Sequence, residues 1–180
     1  MTIGIDVDDT ITKTTETICS IPGMSWEILD QIIANPSSVP NLDEQLNETF
    51  GNMDVFENVV SVINYFKDKG YKIVIITARG SEGLEGIIPI TEKLFKKIGL
   101  KYDKAVFSQN VKGNACKENN VDIFIDDTEE VLDEIASKGI KTVRFSESDI
   151  NSKHKVMHSW LEFKEYIDSL GDNYGTNNWC

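Results

Sequence analysis

Asp6 and Asp8 stand two residues apart at the end of the apolar run Ile3–Val7. On an extended backbone residues i and i+2 project from the same face, so both carboxylates point one way. Two such charges about 4 Å apart repel by about 4 kcal/mol at an effective dielectric of about 20. A divalent cation removes that repulsion, and a site built only of oxygens and water suits Mg2+. A second acidic pair, Asp126-Asp127, follows the run Ile123–Ile125 and can close the same site from a distant segment. Taken alone, Asp126-Asp127 reads equally as a helix cap or a turn, and the Asp6/Asp8 pair as a solvated loop. Their joint occurrence at the ends of two apolar runs points to chemistry: a metal held this way neutralises the charge of a phosphate placed beside it.

Other polar groups fall at equivalent places. Thr77 and Arg79 follow the run Lys72–Ile76, and Ser108 and then Lys112 follow Ala105–Phe107. With a fifth run, Thr142–Phe145, these segments are mostly rich in Ile and Val and nearly continuous in apolar character, as parallel strands covered on both faces must be. Helical patterns lie between them. Asp54 is placed to cap a helix over Val55–Asp68, with Gly70 as its stop. Ile90–Ile98, with Pro89 near its start, is closed by Gly99, and Glu129–Lys138 by Gly139. Strand and helix alternate, so the expected fold is α/β with a doubly wound parallel sheet. In such sheets ligands bind at the carboxyl ends of the strands, where these acids, the threonine and the lysine would gather.

The first connection breaks the rhythm. About sixty residues separate Val7 from Lys72, where a simple crossover needs roughly ten to twelve. Helices are expected near Trp26–Ala34 and Leu42–Phe50, with a break from Pro36 to Pro40. The organisation read from this is a core of residues 1–18 and 53–172, a small helical insertion over 19–52, and a polar tail over 173–180 in which Trp179 can dock. Trp160, Phe163, Ile167 and Leu170 recur at helical spacing and read as core residues beneath a closing helix. His154 and His158 have the i, i+4 spacing that binds a metal on a helix, but no third ligand accompanies them.

The chain carries 30 acidic against 18 basic side chains, a formal charge of −12. That argues against a nucleic-acid polymer as partner, since such interfaces need clustered Lys and Arg. A small anion stays possible, because one metal ion and one or two placed cations reverse the field locally. Cys19, Cys116 and Cys180 form no CxxC pair and read as reduced thiols. No basic leader or membrane-length apolar run is present, so a cytoplasmic protein without membrane association is expected.

Asp6-Val7-Asp8-Asp9-Thr10 resembles the DxDx[TV] motif of the haloacid dehalogenase superfamily of phosphatases. Ile75-Ile76-Thr77-Ala78-Arg79 is similar to its second motif, Lys112 to the lone lysine of its third, and Ile125-Asp126-Asp127 to the acidic pair of its fourth. The four stand in the right order over residues 3 to about 145. The resemblance implies a Rossmann-like core with a small helical cap after the first strand, and it implies roles. Asp6 would attack phosphorus and form an aspartyl-phosphate. Asp8 would protonate the leaving oxygen and then deprotonate the hydrolytic water. Thr77 would hydrogen-bond a phosphoryl oxygen, with Thr10, Ala78 and Arg79 beside the substrate, and Lys112 would pair with Asp6 and the phosphate. Mg2+ would be held by Asp6, the backbone carbonyl of Asp8, and Asp127, with Asp126 behind it. Lys117 competes with Lys112 for the third motif, and Arg79 reads equally as a substrate contact or a salt bridge to a neighbouring acid.

The small cap and the ITAR form of the second motif resemble the 5′-nucleotidase and deoxyribonucleotidase branch, which implies a phosphorylated metabolite, a nucleotide, as substrate. Trp26 and Phe50 can stack on a base or pack within the cap. A phosphatase of a sugar phosphate or another small metabolite is the alternative. A response-regulator receiver domain shares the acids, Thr and Lys but orders them differently. A catalytically silent binding module on the same fold need not retain the full set of acids. Oligomeric state is not expressed in the sequence.

Overall fold

The computed structural model describes residues 1–35, 40–81, 84–148 and 150–175, with the side chains of Trp26, Asp30, Ile33, Asp43 and residues 171–175 excepted. Among them run β1 (Thr2–Ile5), α1 (Thr14–Ser20), α2 (Trp26–Ala34), α3 (Leu42–Phe50), α4 (Val59–Asp68), β2 (Lys72–Ile76) and α5 (Ile87–Ile98). There follow β3 (Lys104–Val106), α6 (Gly113–Glu118), β4 (Ile123–Asp126), α7 (Glu129–Ser137), β5 (Lys141–Phe145), β6 (Lys155–Met157) and α8 (Trp160–Gly175).

The strands form one six-stranded sheet in the order β3-β2-β1-β4-β5-β6, and every pairing is parallel. β1 lies at the centre, with Ile5 opposite Ile75 of β2 and Ile125 of β4. This register brings the carboxyl ends of β1, β2 and β4 level, and it decides where the acids meet. Alternate residues of each strand face opposite layers. Ile3, Ile5, Ile73, Ile75, Ile123 and Ile125 pack with Val62, Phe66, Trp160, Phe163 and Ile167 of α4 and α8. Val74, Ile76 and Phe124 pack with Ala115, Cys116, Leu132 and Ile135 of α6 and α7. Each such buried side chain contributes about 1.5–3 kcal/mol relative to exposure, which is why the continuous apolar runs settle as central strands. The expected doubly wound sheet is the one found.

The helices between β1 and α4 make a third apolar cluster. Ile18 of α1, Leu29 of α2, Leu46 and Phe50 of α3, and Met53 pack with Ile87, Ile90 and Leu94 of α5, so this segment rests on α5.

Several expectations need correction. The helix expected over Val55–Asp68 begins only at Val59, after Asn58 at φ 62°. Val55 instead bridges Thr12, and the Phe56 N–H donates to Ile11 O at 3.0 Å. The carbonyl of Asp54, expected to cap that helix, accepts from Lys13 N–H at 2.9 Å. Gly70, Gly99 and Gly139 end their helices with positive φ, as expected. His154 and His158 do not share a helix. They flank β6, the short edge strand that sequence reading missed. His154 meets Thr142 Oγ1 at 2.8 Å and Asp133 at 3.1 Å, while His158 Nδ1 meets Ser146 O at 2.8 Å. α8 runs to Gly175, and the rest of the expected tail, Trp179 and Cys180 included, lies outside the described residues, as does most of the expected Pro36–Pro40 break. Among the described residues, no helix is long and apolar enough to cross a membrane.

Candidate active site

A cavity of about 410 Å³ opens at the carboxyl edge of the sheet, lined by Asp6, Asp8, Asp9, Ala78, Lys112 and Asp127, with Thr15, Asn110, Thr128 and Val131. A larger one of about 530 Å³ lies at the amino edge, by Met1, Tyr71 and Ile123. Its carboxylate, Asp122, is taken up by the Thr2 N–H at 2.7 Å. Convergent chemistry belongs to the first cavity.

Asp6 and Asp126 are carried to one point because β1 and β4 are hydrogen-bonded neighbours, and the Asp6 N–H donates to Ile125 O at 3.1 Å. Lys112 Nζ lies between them, 2.6 Å from Asp6 Oδ1 and 2.7 Å from Asp126 Oδ2, with all three side chains buried. The loop carrying Lys112 is tied to the end of β2: Ser108 N–H donates to Arg79 O at 2.8 Å, and Gln109 N–H to Thr77 O at 2.9 Å. Glu134 of α7 accepts the Gly113 N–H at 2.8 Å, fixing the start of α6 just after Lys112. Lys117, the competing lysine, is exposed on α6.

Three carboxylates share this region with one ammonium. Ligand-capable atoms of Asp6, Asp126 and Asp127 lie within 4.8 Å of one another. Burial pushes the Asp6 carboxyl well above its ordinary range, and Asp126 and Asp8 add to this against the opposing pull of Lys112. Burial works against the charge on Lys112, yet Asp6 and Asp126 outweigh it and hold the ammonium charged. Asp127 is pushed up to about 7, by burial first and then by Asp126 and Asp9. Asp126 has both oxygens engaged, Oδ2 by Lys112 and Oδ1 by the Thr128 N–H at 2.9 Å. Among the described residues no donor meets Asp6 Oδ2, and Asp127 lines the cavity. An all-oxygen donor set with surplus negative charge fits Mg2+, which Asp6 and Asp127 would hold with Asp126 beside them.

Asp8 is held differently. Arg79 Nε donates to its Oδ1 at 3.0 Å and Oδ2 at 3.2 Å, Nη2 donates to Oδ1 at 2.8 Å, and the Thr14 hydroxyl donates to Oδ1 at 2.7 Å. Burial raises the Asp8 pKa, but the guanidinium and these hydrogen bonds outweigh it, and the net direction is downward. Asp9, at φ 51°, accepts the Thr15 N–H at 2.9 Å and the Thr15 hydroxyl. Asp8 and Asp9 are therefore tied to the first turn of α1, while Asp6 is held by Lys112.

Four sequence expectations change here. Arg79 does not line the cavity. Its side chain is buried against Asp8, with Nη1 on Thr91 and Nη2 on Thr12, so of the two readings the salt bridge is the observed arrangement. Thr10 is fully buried; its Oγ1 has no hydrogen-bond partner and its carbonyl accepts the Trp160 Nε1–H at 3.1 Å. It faces the core. Phe50 is buried in the insertion's cluster, with the Arg79 Cζ 5.4 Å from its ring centroid, and is not available to stack on a base. The side chain of Trp26 lies outside the described residues. Thr77, expected to meet a phosphoryl oxygen, is fully buried and is not among the residues lining the cavity, and its Oγ1 accepts the Arg79 N–H at 3.2 Å. Ala78 and Lys112 do line the cavity.

Sequence reading missed Thr14, Thr15, Asn110 and Thr128. Nothing in their spacing marks them; only the loop paths bring them to the acids.

No protein-family model matches the chain, and no curated protein is similar to it in sequence. Solved structures are similar in fold. An L-2-haloacid dehalogenase superposes with TM-score 0.62 at 10% identity, over 93% of this chain and 98% of that one. A β-phosphoglucomutase from Clostridium difficile gives 0.58 at 19%, over 96% and 97%. A HAD-superfamily hydrolase from Ehrlichia chaffeensis gives 0.56 at 12%, over 94% and 96%. The fold is that of the haloacid dehalogenase superfamily. The neighbours' names span carbon–halogen and phosphoryl chemistry, and a shared fold assigns neither to this chain.

Proposed function

We propose that the chain is a Mg2+-dependent phosphomonoester hydrolase working through an aspartyl-phosphate on Asp6. The observation that carries this is Asp8, anchored beside Asp6 and lining the same cavity. Halide leaves without a proton, so a dehalogenase has no use for such an acid. An alkoxide does need one, and general acid–base catalysis contributes about 10²–10⁴-fold. The surplus of carboxylates over Lys112 also suits a cation paired with a phosphate.

Asp6 attacks phosphorus through Oδ2, the oxygen not bound to Lys112, while Asp8 delivers a proton to the departing ester oxygen. Asp8 then takes a proton from water as that water attacks the phosphoryl group, which restores the Asp6 carboxylate and releases inorganic phosphate. Lys112 holds Asp6 in place through both steps and offsets the charge of the transferring group. Mg2+, bound by Asp6 and Asp127, would supply further charge neutralisation at the phosphoryl oxygens.

The substrate class is a small phosphomonoester rather than a nucleic-acid polymer or a membrane lipid. Nucleoside and deoxynucleoside monophosphates come first, supported by the ITAR motif and the small helical insertion over 19–52, which acts as a cap reading the leaving group. A sugar phosphate is the second reading. It is favoured by the polar lining of Asp9, Thr15, Asn110 and Thr128, which suits hydroxyl groups, and by the burial of Phe50.

Phosphate release from a panel of nucleotides and sugar phosphates, with Mg2+ and with EDTA, tests the proposal. Turnover that needs Mg2+ and is abolished by Asp6→Asn and by Asp8→Ala is the expected result. Full activity of folded Asp6→Asn rejects the nucleophile. Turnover confined to sugar phosphates keeps the mechanism and discards the nucleotidase.

A further inference from the structure

Asp8 has two carboxylate oxygens in unlike surroundings. Oδ1 accepts three hydrogen bonds, from Thr14 Oγ1 at 2.7 Å, Arg79 Nη2 at 2.8 Å and Arg79 Nε at 3.0 Å. Among the described residues, Oδ2 accepts only the longer side of the Nε fork, at 3.2 Å. A carboxylate oxygen has two lone pairs, so Oδ1 is saturated and Oδ2 keeps capacity for a proton. The clamp is itself rigidly held. Arg79 has a side chain 2% exposed. Its Nη1 donates to Thr91 Oγ1 at 3.2 Å, and its Nη2 also reaches Thr12 Oγ1 at 3.0 Å, Thr14 Oγ1 at 3.3 Å and Met53 Sδ at 3.2 Å. The ring of Phe50 covers the guanidinium. Thr14 opens α1, Phe50 ends α3 and Met53 lies just beyond it, so residues on both sides of α2 close on the group that orients Asp8.

We infer that Arg79 and Thr14 are positioning residues that anchor Oδ1 of Asp8 and leave Oδ2 as the atom that gives and takes the proton. This rests on the phosphohydrolase reading. In the first step the proton on Oδ2 passes to the ester oxygen as the ester P–O bond breaks and the bond from Asp6 to phosphorus forms. In the second, Oδ2 takes a proton from water as the water oxygen bonds to phosphorus and the Asp6–phosphorus bond breaks. A bidentate guanidinium fixes the carboxylate plane in a way that a lysine, a point charge on a flexible stem, does not. Neither Arg79 nor Thr14 needs to touch substrate.

The signature is a dependence on the leaving group. p-Nitrophenol departs readily without protonation, whereas phenol does so less readily. With Asp8 out of position, Arg79→Gln should still be phosphorylated by p-nitrophenyl phosphate. It should then stall, because the hydrolytic water has lost its base. Stopped-flow absorbance should show a burst of one p-nitrophenol per enzyme, followed by steady turnover slowed by about 10²-fold or more. Phosphorylation by phenyl phosphate should be slowed far more than by p-nitrophenyl phosphate. Arg79→Lys should be intermediate. A loss of activity through general structural damage would slow both esters alike and leave no burst.

Arg79→Gln with a wild-type circular dichroism spectrum that loses both esters equally without a burst, or retains wild-type rates, overturns the inference. Should Arg79→Gln fail to fold, Thr14→Val takes its place. Removal of one bond to Oδ1 should give the same pattern at smaller amplitude, and wild-type kinetics there also overturn the inference. Failure of the wild-type enzyme to hydrolyse either ester, with Mg2+ present, removes the phosphohydrolase reading and this inference with it. An active wild type with an unaffected clamp variant removes this inference alone.

Discussion

Replacing Lys112 by methionine keeps most of the side-chain volume and removes the charge that two buried carboxylates share. Its Nζ lies 2.6 Å from Asp6 and 2.7 Å from Asp126, where each attraction is about 6 kcal/mol gross at an effective dielectric of about 20. The carboxylates lie within 4.8 Å of each other, a separation at which like charges repel by about 3 kcal/mol or more on the same scale. Desolvation of the three ions offsets most of the gross attraction, so the net loss expected is that of leaving buried charge unpaired, about 3–5 kcal/mol. Its pH dependence has a definite sign. Burial has already raised the Asp6 carboxyl, and Lys112 is the largest influence opposing that rise. A carboxyl with a raised folded pKa stabilises the fold below its unfolded value, and that stabilisation disappears as pH rises through the folded value. Lys112→Met should therefore be least stable at neutral pH and above, and approach wild type near about pH 4 as Asp6 takes up its proton. Urea unfolding of both proteins in EDTA across this range measures it. A neutral-pH loss below about 1 kcal/mol, the size of an exposed pair, or a loss unchanged by acid, would refute the buried triad.

Gly80 sits at φ +81°, and a Cβ there would lie 2.4 Å from Ile88 Cγ1. Gly80→Ala should lose about 1–3 kcal/mol by thermal or urea unfolding, and an unchanged midpoint would contradict this backbone conformation. Burial pushes the Cys116 thiol up to about 12. Peptide mapping after iodoacetamide should thus find Cys116 unmodified in native protein, exposed Cys19 modified, and both modified in urea; native labelling of Cys116 would place it wrongly in the core. The Ser152 hydroxyl, with the Lys153 N–H and Arg144, holds Glu129 down at about 2. Its stabilising effect is fully present above the ordinary carboxyl range and is lost as pH falls through about 2. The stability gap between wild type and Glu129→Gln should close in strong acid and stay constant from pH 6 upward on the scale of about 4.3 for a free Glu; a gap that widens in acid has the wrong sign.

Much of this protein is written locally. Ile73-Val74-Ile75-Ile76 and Ile123-Phe124-Ile125 are apolar on both faces, and only a central strand of a sheet covered on both sides buries both. Glycine after a helical pattern ends the helix through its own conformational freedom, so the ends of α4, α5 and α7 were readable to within a residue or two. Asp6, Asp8, Asp126 and Asp127 follow such strands directly, and a parallel sheet brings strand ends together whatever else the chain does. β6 escaped because three residues on an edge strand, Lys155-Val156-Met157, carry too little pattern to declare a period. α4 begins late because Val55 and Phe56 pair with the loop after β1, a contact across more than forty residues.

The division of labour among the acids was decided only in three dimensions. Asp126 and Asp127 are adjacent and chemically identical, yet one is saturated by Lys112 and Thr128 while the other opens on the cavity. Arg79 could have met a phosphate or a carboxylate, and the approach of α1, Met53 and Phe50 turned it to Asp8. Thr10 belongs to the motif and faces the core. Residue type and spacing place a side chain at an edge, because strand periodicity is a property of the local backbone. Which partner it then meets depends on segments tens of residues away, and only packing brings those within the 3 Å over which hydrogen bonds act.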